Sequence, residues 1–293
     1  MGNMALIIFS LCLQAAIGIV IFAGLTKLLA KDSVLKPAVL TAAALAIVGL
    51  LASLMHLGRP LSALGSLTQF GSSWLSREIW FSGIFTILIL IAALLIYFKP
   101  LAKSAANTMI LLAAIVGVVN IWAMAAIYSS SSVPAWQHSS IYIEFYAAAI
   151  SMGAAIFLAL SLKEALRVKK VTVLLVGVVV TFQVVAMVLY YIQVGASASL
   201  AARQSLALLS GMGGLLTGKW LFILLGVGLL FFLDQRANLN VTAGQAAMEA
   251  AVTKEGALSA NLYAVAAALL IIGHIIGRYL FYATAIASSV GLS

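Results

Sequence analysis

A histidine and a glutamate on consecutive hydrophobic stretches are the residues of this chain best suited to proton chemistry. His56 ends the second stretch and Glu78 begins the third. Oxidation of a quinol releases both electrons and protons, so it needs a hydrogen-bonding group at a quinol oxygen and a nearby proton acceptor. The two residues suit these roles, although such a pair on neighbouring helices also occurs in transporters. Alternatively, His56 merely caps the end of its helix at the level of the lipid headgroups. Glu78 then occupies the first turn of its own helix only because the helix dipole stabilises an anion there.

Membrane-spanning helices must position these residues. Of the 293 residues, 65% are hydrophobic and 8% are charged, which is not the composition of a soluble domain. Lipid-exposed backbone must satisfy its own hydrogen bonds, which leaves helices or closed barrels. The apolar runs are continuous rather than alternating, which excludes barrel strands. We therefore predict an all-α integral membrane protein with eight transmembrane helices in one polytopic domain, residues 1–293.

The spans follow from the apolar runs, since a crossing helix needs about 20 such residues. They are predicted over residues 5–29, 38–57, 79–98, 108–128, 141–162, 171–193, 215–233 and 260–286. The seventh is the weakest, because Lys219 lies within it and must snorkel to the surface. Two four-helix bundles are one grouping that this order allows. The connections Gly58–Arg77 and Gly195–Gly214 exceed simple turns, which predicts interfacial or surface segments, whereas Asp234–Ala257 is predicted to be a polar loop.

The basic residues orient the chain in the membrane. Eleven of the sixteen lysines and arginines fall at alternate connections, which indicates the cytoplasmic side. These are Lys27, Lys31, Lys36, Lys99, Lys103, Lys163, Arg167, Lys169, Lys170, Arg236 and Lys254. Both termini are therefore predicted to face outward, which is the periplasm for a protein of the bacterial inner membrane. The net charge of +9 reflects this topology and does not indicate nucleic-acid binding.

Once the topology is fixed, further polar residues fall in the outer half of the membrane. Arg278 lies one turn beyond His274 on the last helix, and Gln14 lies in the outer part of the first. Ionisable groups in a membrane usually face the bundle interior and mark functional sites. We therefore predict that Arg278 and Gln14 join His56 and Glu78.

The first long outer connection carries a separate group of residues that suit the membrane surface or a partner protein. Arg59 and Arg77 are interpreted as anchors to lipid phosphates or as docking residues for a partner. Trp74 belongs to the same segment.

Electrons from such a site need an acceptor on another polypeptide. Cys12 is the only cysteine, so the chain cannot ligate an iron–sulfur cluster by itself, and the sequence contains no nucleotide motif. Two alternatives stay open. A cytochrome b would use paired histidines, but only His56 and His274 lie in spans, enough for one haem. A secondary transporter is less favoured, since the charges cluster at one side and no repeat is visible.

Three segments carry a resemblance to a known family. They are LASLMHLGRPLSALGSLTQFGSSWLSREIWFSG (Leu51–Gly83), VPAW (Val133–Trp136) and GHIIGRYLFYATAIASS (Gly273–Ser289). The chain resembles the membrane anchor subunit of bacterial dimethyl sulfoxide reductase. The family's better-known members carry Gly-Glu where this sequence has Gly273-His274, so the resemblance assigns no role to His274.

The resemblance implies a function in anaerobic respiration. The anchor would oxidise menaquinol and pass electrons to a four-cluster iron–sulfur subunit, which feeds a molybdenum-bis(pterin guanine dinucleotide) catalytic subunit. It also implies that His56 and Glu78 belong to the quinol site. We expect no haem, no iron–sulfur cluster and no metal site in this chain. The substrate of the catalytic subunit is chosen by another polypeptide, so this sequence does not specify it.

Overall fold

The computed structural model describes residues 2–31, 33, 35–56, 65, 67–242 and 248–288. The regular structure within these ranges is entirely helical. The helices are α1 (Gly2–Leu29), α2 (Lys36–His56), α3 (Trp74–Phe98), α4 (Lys103–Ser129), α5 (Ser140–Ser161), α6 (Lys169–Gly195), α7 (Leu200–Gly211), α8 (Gly213–Thr242) and α9 (Met248–Ala283). Two 3-10 turns, Leu67–Gln69 and Pro134–Trp136, lie in connections.

Every one of these helices except α7 is long and apolar enough to cross a membrane. The candidate spans are Met4–Leu29, Lys36–Met55, Trp74–Phe98, Lys103–Ser129, Ser140–Ser161, Lys169–Gly195, Gly213–Arg236 and Ala260–Ala283, eight within the described residues. The prediction of an all-α integral membrane protein with eight transmembrane helices is confirmed.

Several helix boundaries differ from the predicted ones. Helix α3 begins at Trp74 rather than at residue 79, because the Ser73 hydroxyl accepts a hydrogen bond from the Ser76 amide and caps the helix. At the other end of the bundle, α8 continues to Thr242 and α9 begins at Met248, so much of the predicted loop Asp234–Ala257 is helical. This part is rich in Ala, the strongest helix former, and its interspersed polar residues keep it from being hydrophobic enough to signal a span.

Helix α1 is the central helix of the bundle. In the apolar part of α1 that would cross the membrane, 72% is buried inside the bundle, against 22% for α8. It packs against α2, α4, α5 and α9. The closest approach joins Gly18 to α5, where a Cβ atom on Gly18 would lie 1.9 Å from the Ala149 carbonyl oxygen. A glycine is therefore required for α1 to reach the middle of the bundle.

One end of the bundle gathers the elements that surround the candidate site. We call it the outer end, after the predicted topology; α2, α4, α6 and α9 end there, and α3, α5 and α8 begin there. Helix α7 packs against α6 and against the Pro134–Trp136 turn at this end. Its buried face carries Ala202, Ser205 and Leu209, whereas Leu200 and Leu208 are exposed. The predicted surface segment is thus an amphipathic helix across this end.

Candidate functional site

A cavity of about 800 Å³, its open mouth included, lies between α5, α6, α8 and α9 at the outer end. The Pro134–Trp136 turn and Leu209 of α7 border it. Its walls are mainly apolar and aromatic, with Trp136, Phe145 and Phe281 among them. Concave sites with mainly apolar walls and a few polar groups are typical of small-molecule binding. Besides Tyr190, four ionisable side chains line this one: Glu144, Lys219, His274 and Arg278.

An ion pair joins two of these side chains. The Lys219 ammonium lies 2.8 Å from the Glu144 carboxylate, and the Gln183 amide donates to the other carboxylate oxygen at 2.8 Å. Lys219 is 5% exposed, so the prediction that it snorkels to the surface is wrong. The partly exposed carboxylate of Glu144 compensates its charge across the interface of α5 and α8. The positive charge of Lys219 is therefore already neutralised within the protein.

His274 is oriented by Ser151. The Ser151 hydroxyl donates to the Ala147 carbonyl at 2.6 Å and lies 2.7 Å from His274 Nε2. Since the hydroxyl proton goes to that carbonyl, Nε2 must donate to Ser151, which leaves Nδ1 without a proton. Within the described residues Nδ1 makes no hydrogen bond. His274 is therefore held with an acceptor nitrogen available in a cavity-lining side chain.

Arg278 and Gln14 contact each other, as predicted from the sequence. Arg278 Nη2 donates to Gln14 Oε1 at 3.0 Å, and the guanidinium lies 3.8 Å from the centre of the Phe145 ring. Gln14 is fully buried, and its Nε2 has no hydrogen-bond partner among the residues described. Within the residues that the structure describes, no carboxylate lies within ion-pair distance of Arg278. The cavity thus carries a cation whose protein partners are an amide and aromatic rings.

Glu78 is buried outside the cavity. It is 7% exposed and does not line the cavity. Its carboxyl acts electrostatically on Tyr128 and Tyr282, whose hydroxyls lie 2.6 Å apart. The Tyr128 ring packs against the lining residues Phe145 and Phe281, with ring centres 5.6 and 5.0 Å away. Tyr128 thus connects the surroundings of Glu78 with two residues of the cavity wall.

The remaining predicted site residues lie in or near the first outer connection. His56 is the last residue of α2, and its side chain and the whole of Arg59 lie outside the described residues. Arg77 donates to the carbonyls of Phe70 and Gly71 at 3.0 and 2.8 Å, and its guanidinium lies 4.2 Å from the centre of the Trp74 ring. Arg77 thus holds the segment before α3 against the start of that helix.

The polar contacts on the α5 and α8 side of the cavity were not predicted from the sequence. Glu144 and Lys219 are 75 positions apart, and His274 and Ser151 are 123 apart, so no local pattern pairs them. The available signal was the cost of placing ionisable groups in a membrane, which indicated that each needs a partner but not which one.

The fold and the cavity define a polytopic membrane protein with a buried polar site at one end of its helix bundle. The family model described as "DMSO reductase anchor subunit (DmsC)" matches residues 1–284, and the chain belongs to that family.

Three relatives agree with this assignment. The sequence is 28% identical over 152 residues to the YnfH subunit of an anaerobic dimethyl sulfoxide reductase of Escherichia coli, covering 50% of this protein and 54% of that one. It is 32% identical over 99 residues to the C subunit of the anaerobic dimethyl sulfoxide reductase of Haemophilus influenzae, covering 34% and 36% of the two proteins. It is 36% identical over 90 residues to the C subunit of the Escherichia coli enzyme, covering 30% and 31%. The match thus spans about half the length of the first relative and about a third of the others. No solved structure matches the sequence significantly.

Proposed function

We propose that this chain is the membrane anchor of a respiratory dimethyl sulfoxide reductase complex and that it oxidises menaquinol near its outer end. Membership of the anchor family supports the first part. One observation carries the second: the buried Arg278–Gln14 pair, in which the Gln14 amide nitrogen has no partner among the described residues, lies beside an amphipathic cavity. Buried donors without partners are costly in a membrane, and the oxygens of a quinol ring supply acceptors in an otherwise apolar molecule.

The proposed reaction divides electrons and protons between different groups. Menaquinol becomes menaquinone by losing two electrons and two protons. His56 hydrogen-bonds a quinol oxygen and Glu78 accepts a proton, which then passes to outer water, while Arg278 and Gln14 bind the ring. With a single cysteine in the chain, the electrons pass to an iron–sulfur partner subunit, which supplies a molybdopterin catalytic subunit. The complex resides in the bacterial inner membrane, with both termini of this chain in the periplasm.

The surface before α3 is the proposed docking site for the iron–sulfur subunit. Arg59, Arg77 and Trp74 belong to it. The contacts of Arg77 fix the backbone at residues 70 and 71, and Phe70 is 45% exposed there. An ordered segment with an exposed aromatic side chain loses little conformational freedom on binding, which favours association.

The proposal is tested in the assembled complex by replacing the proton-accepting groups. Glu78→Gln and His56→Gln should each lower quinol-dependent sulfoxide reduction by about 100-fold, the lower part of the range for general acid–base groups. Reduction driven by a soluble artificial donor, which bypasses the anchor, should be unchanged. Glu164→Gln, after the inner end of α5, is the matched control. Normal quinol turnover in both site variants would remove these residues from the reaction.

A further inference from the structure

We propose that the inner end of the bundle, opposite the outer end, carries a binding site for an anionic phospholipid where the α1–α2 and α3–α4 connections meet. The lipid phosphate binds the ammonium groups of Lys36 and Lys99, and the acyl chains lie against α2 and α3. This site does not depend on the reaction proposed above.

Two contacts bring these connections together. Lys36, the first residue of α2, places its ammonium 4.6 Å from the centre of the Tyr97 ring near the end of α3. The Asn107 amide of α4 donates to the backbone carbonyl of Lys31 at 3.1 Å. Helices α2 and α3 also pack against each other. The lysines of both connections therefore belong to one surface.

This surface is cationic. The two connections and the residues that follow them contain four lysines, Lys31, Lys36, Lys99 and Lys103, and one acid, Asp32, which lies outside the described residues. Lys36 and Lys99 are exposed, and no carboxylate among the described residues lies within ion-pair distance of either ammonium. Both ammonium groups can therefore bind an external anion.

The α5–α6 connection at the same end differs, because the protein itself binds two of its cations. Lys169 lies 3.2 Å from the Asp234 carboxylate, and Arg167 donates to the Leu29 carbonyl at 3.4 Å. The positive-inside rule accounts for basic residues at both places equally. It does not explain why the protein supplies partners at one of them and leaves Lys36 and Lys99 without an anion.

Apolar side chains next to these lysines indicate that the anion belongs to a lipid. Phe98 is 70% exposed, and Leu101, in the turn between α3 and α4, is 96% exposed. Aromatic rings and lysines are typical of the level of the lipid headgroups. About one turn further into the membrane, Leu40 of α2 and Leu94 of α3 are exposed as well. The surface thus offers cations at headgroup level and apolar side chains below them.

The net charge of the headgroup decides which lipid binds. A zwitterionic headgroup carries its own cation, which competes with Lys36 and Lys99 for the phosphate. An anionic headgroup has no such competitor, and each basic residue near the membrane surface favours it by about 5-fold. A free phosphate would gain nothing from the apolar side chains below the lysines.

Lipid titration of the purified full chain in mild detergent, followed by native mass spectrometry, tests the site. The probe is phosphatidylglycerol, with phosphatidylcholine for comparison. Lys36→Gln and Lys99→Gln should each weaken binding of the tightest phosphatidylglycerol molecule about 5-fold, and the double variant about 25-fold. Lys170→Gln is the matched control, because it removes an exposed lysine at the same end, near the start of α6. It should change the affinity by less than about 2-fold.

A second measurement needs no substitution. In phosphatidylcholine nanodiscs, an amine-acetylating reagent should modify Lys36 and Lys99 readily. Phosphatidylglycerol added to the nanodiscs should protect these two lysines more strongly than Lys170.

Three results would overturn the site. The first is equal affinity for phosphatidylglycerol in the wild type and the double variant. The second is an equal loss in Lys170→Gln, because general attraction to the charged end of the bundle would then explain the binding. The third is displacement of the bound lipid by inorganic phosphate, which would identify a site for a free anion.

Discussion

Breaking the Glu144–Lys219 ion pair should destabilise the outer end of the bundle by a measurable amount. Removing one partner of a buried pair costs about 3–5 kcal/mol, because the other charge is left uncompensated. Lys219→Met leaves Glu144 with only the Gln183 amide, but the Glu144 side chain is 28% exposed, so water screens part of its charge. We therefore expect a loss of about 2 kcal/mol, between the values for surface and fully buried pairs.

A double-mutant cycle isolates the pair. The free energy of unfolding would be measured in mixed micelles by titration with a denaturing detergent, followed by tryptophan fluorescence. Glu144→Gln should also destabilise, because it leaves Lys219 buried without an anion. The double variant should cost less than the sum of the singles by at least about 1 kcal/mol. Lys163→Met, an exposed lysine, is the control. Strictly additive single effects would refute the claim that the two charges compensate each other.

Three other predictions follow from particular contacts. Gly18→Ala should prevent stable folding, because its Cβ would lie 1.9 Å from the Ala149 carbonyl oxygen. Gly83→Ala should be tolerated, because no atom lies within 4 Å of the added Cβ. The yield of folded protein in size-exclusion chromatography measures both effects. A cysteine placed at Phe70 should react with an impermeant reagent from outside and become protected when the iron–sulfur subunit assembles; equal labelling with and without the partner would argue against docking there. The visible spectrum of the purified protein should show no haem bands, and a Soret band at stoichiometric intensity would restore the cytochrome alternative.

The sequence predicted the membrane fold because hydropathy alone decides it. A run of about 20 apolar residues must form a helix in lipid, whatever its neighbours are. The start of α3 was missed because it depends on a cap: Ser73 is one of several serines before Trp74, and only its hydrogen bond to the Ser76 amide distinguishes it. The extensions of α8 and α9 were missed because polar helix resembles polar loop in hydropathy.

The sequence could predict only which single residues of the candidate site are costly to bury in a membrane, and not which residues they contact. Arg278 and Gln14 were expected to be functional because polar groups in a membrane need partners, and they do contact each other. The partners of Lys219 and His274 lie on α5, and nothing in the local pattern of α8 or α9 indicates that α5 packs there. The roles of His56 and Glu78 in the reaction remain predictions that the kinetics must test.

The most direct measurement of the central claim is quinol oxidation by the purified complex that contains this chain. Menaquinol with a shortened tail would be added to the complex in detergent, and its absorbance would be followed while dimethyl sulfoxide is consumed. We predict that one quinol is oxidised for each sulfoxide reduced, and that the rate falls to background when this chain is omitted. Equal quinol oxidation without this chain would contradict the account.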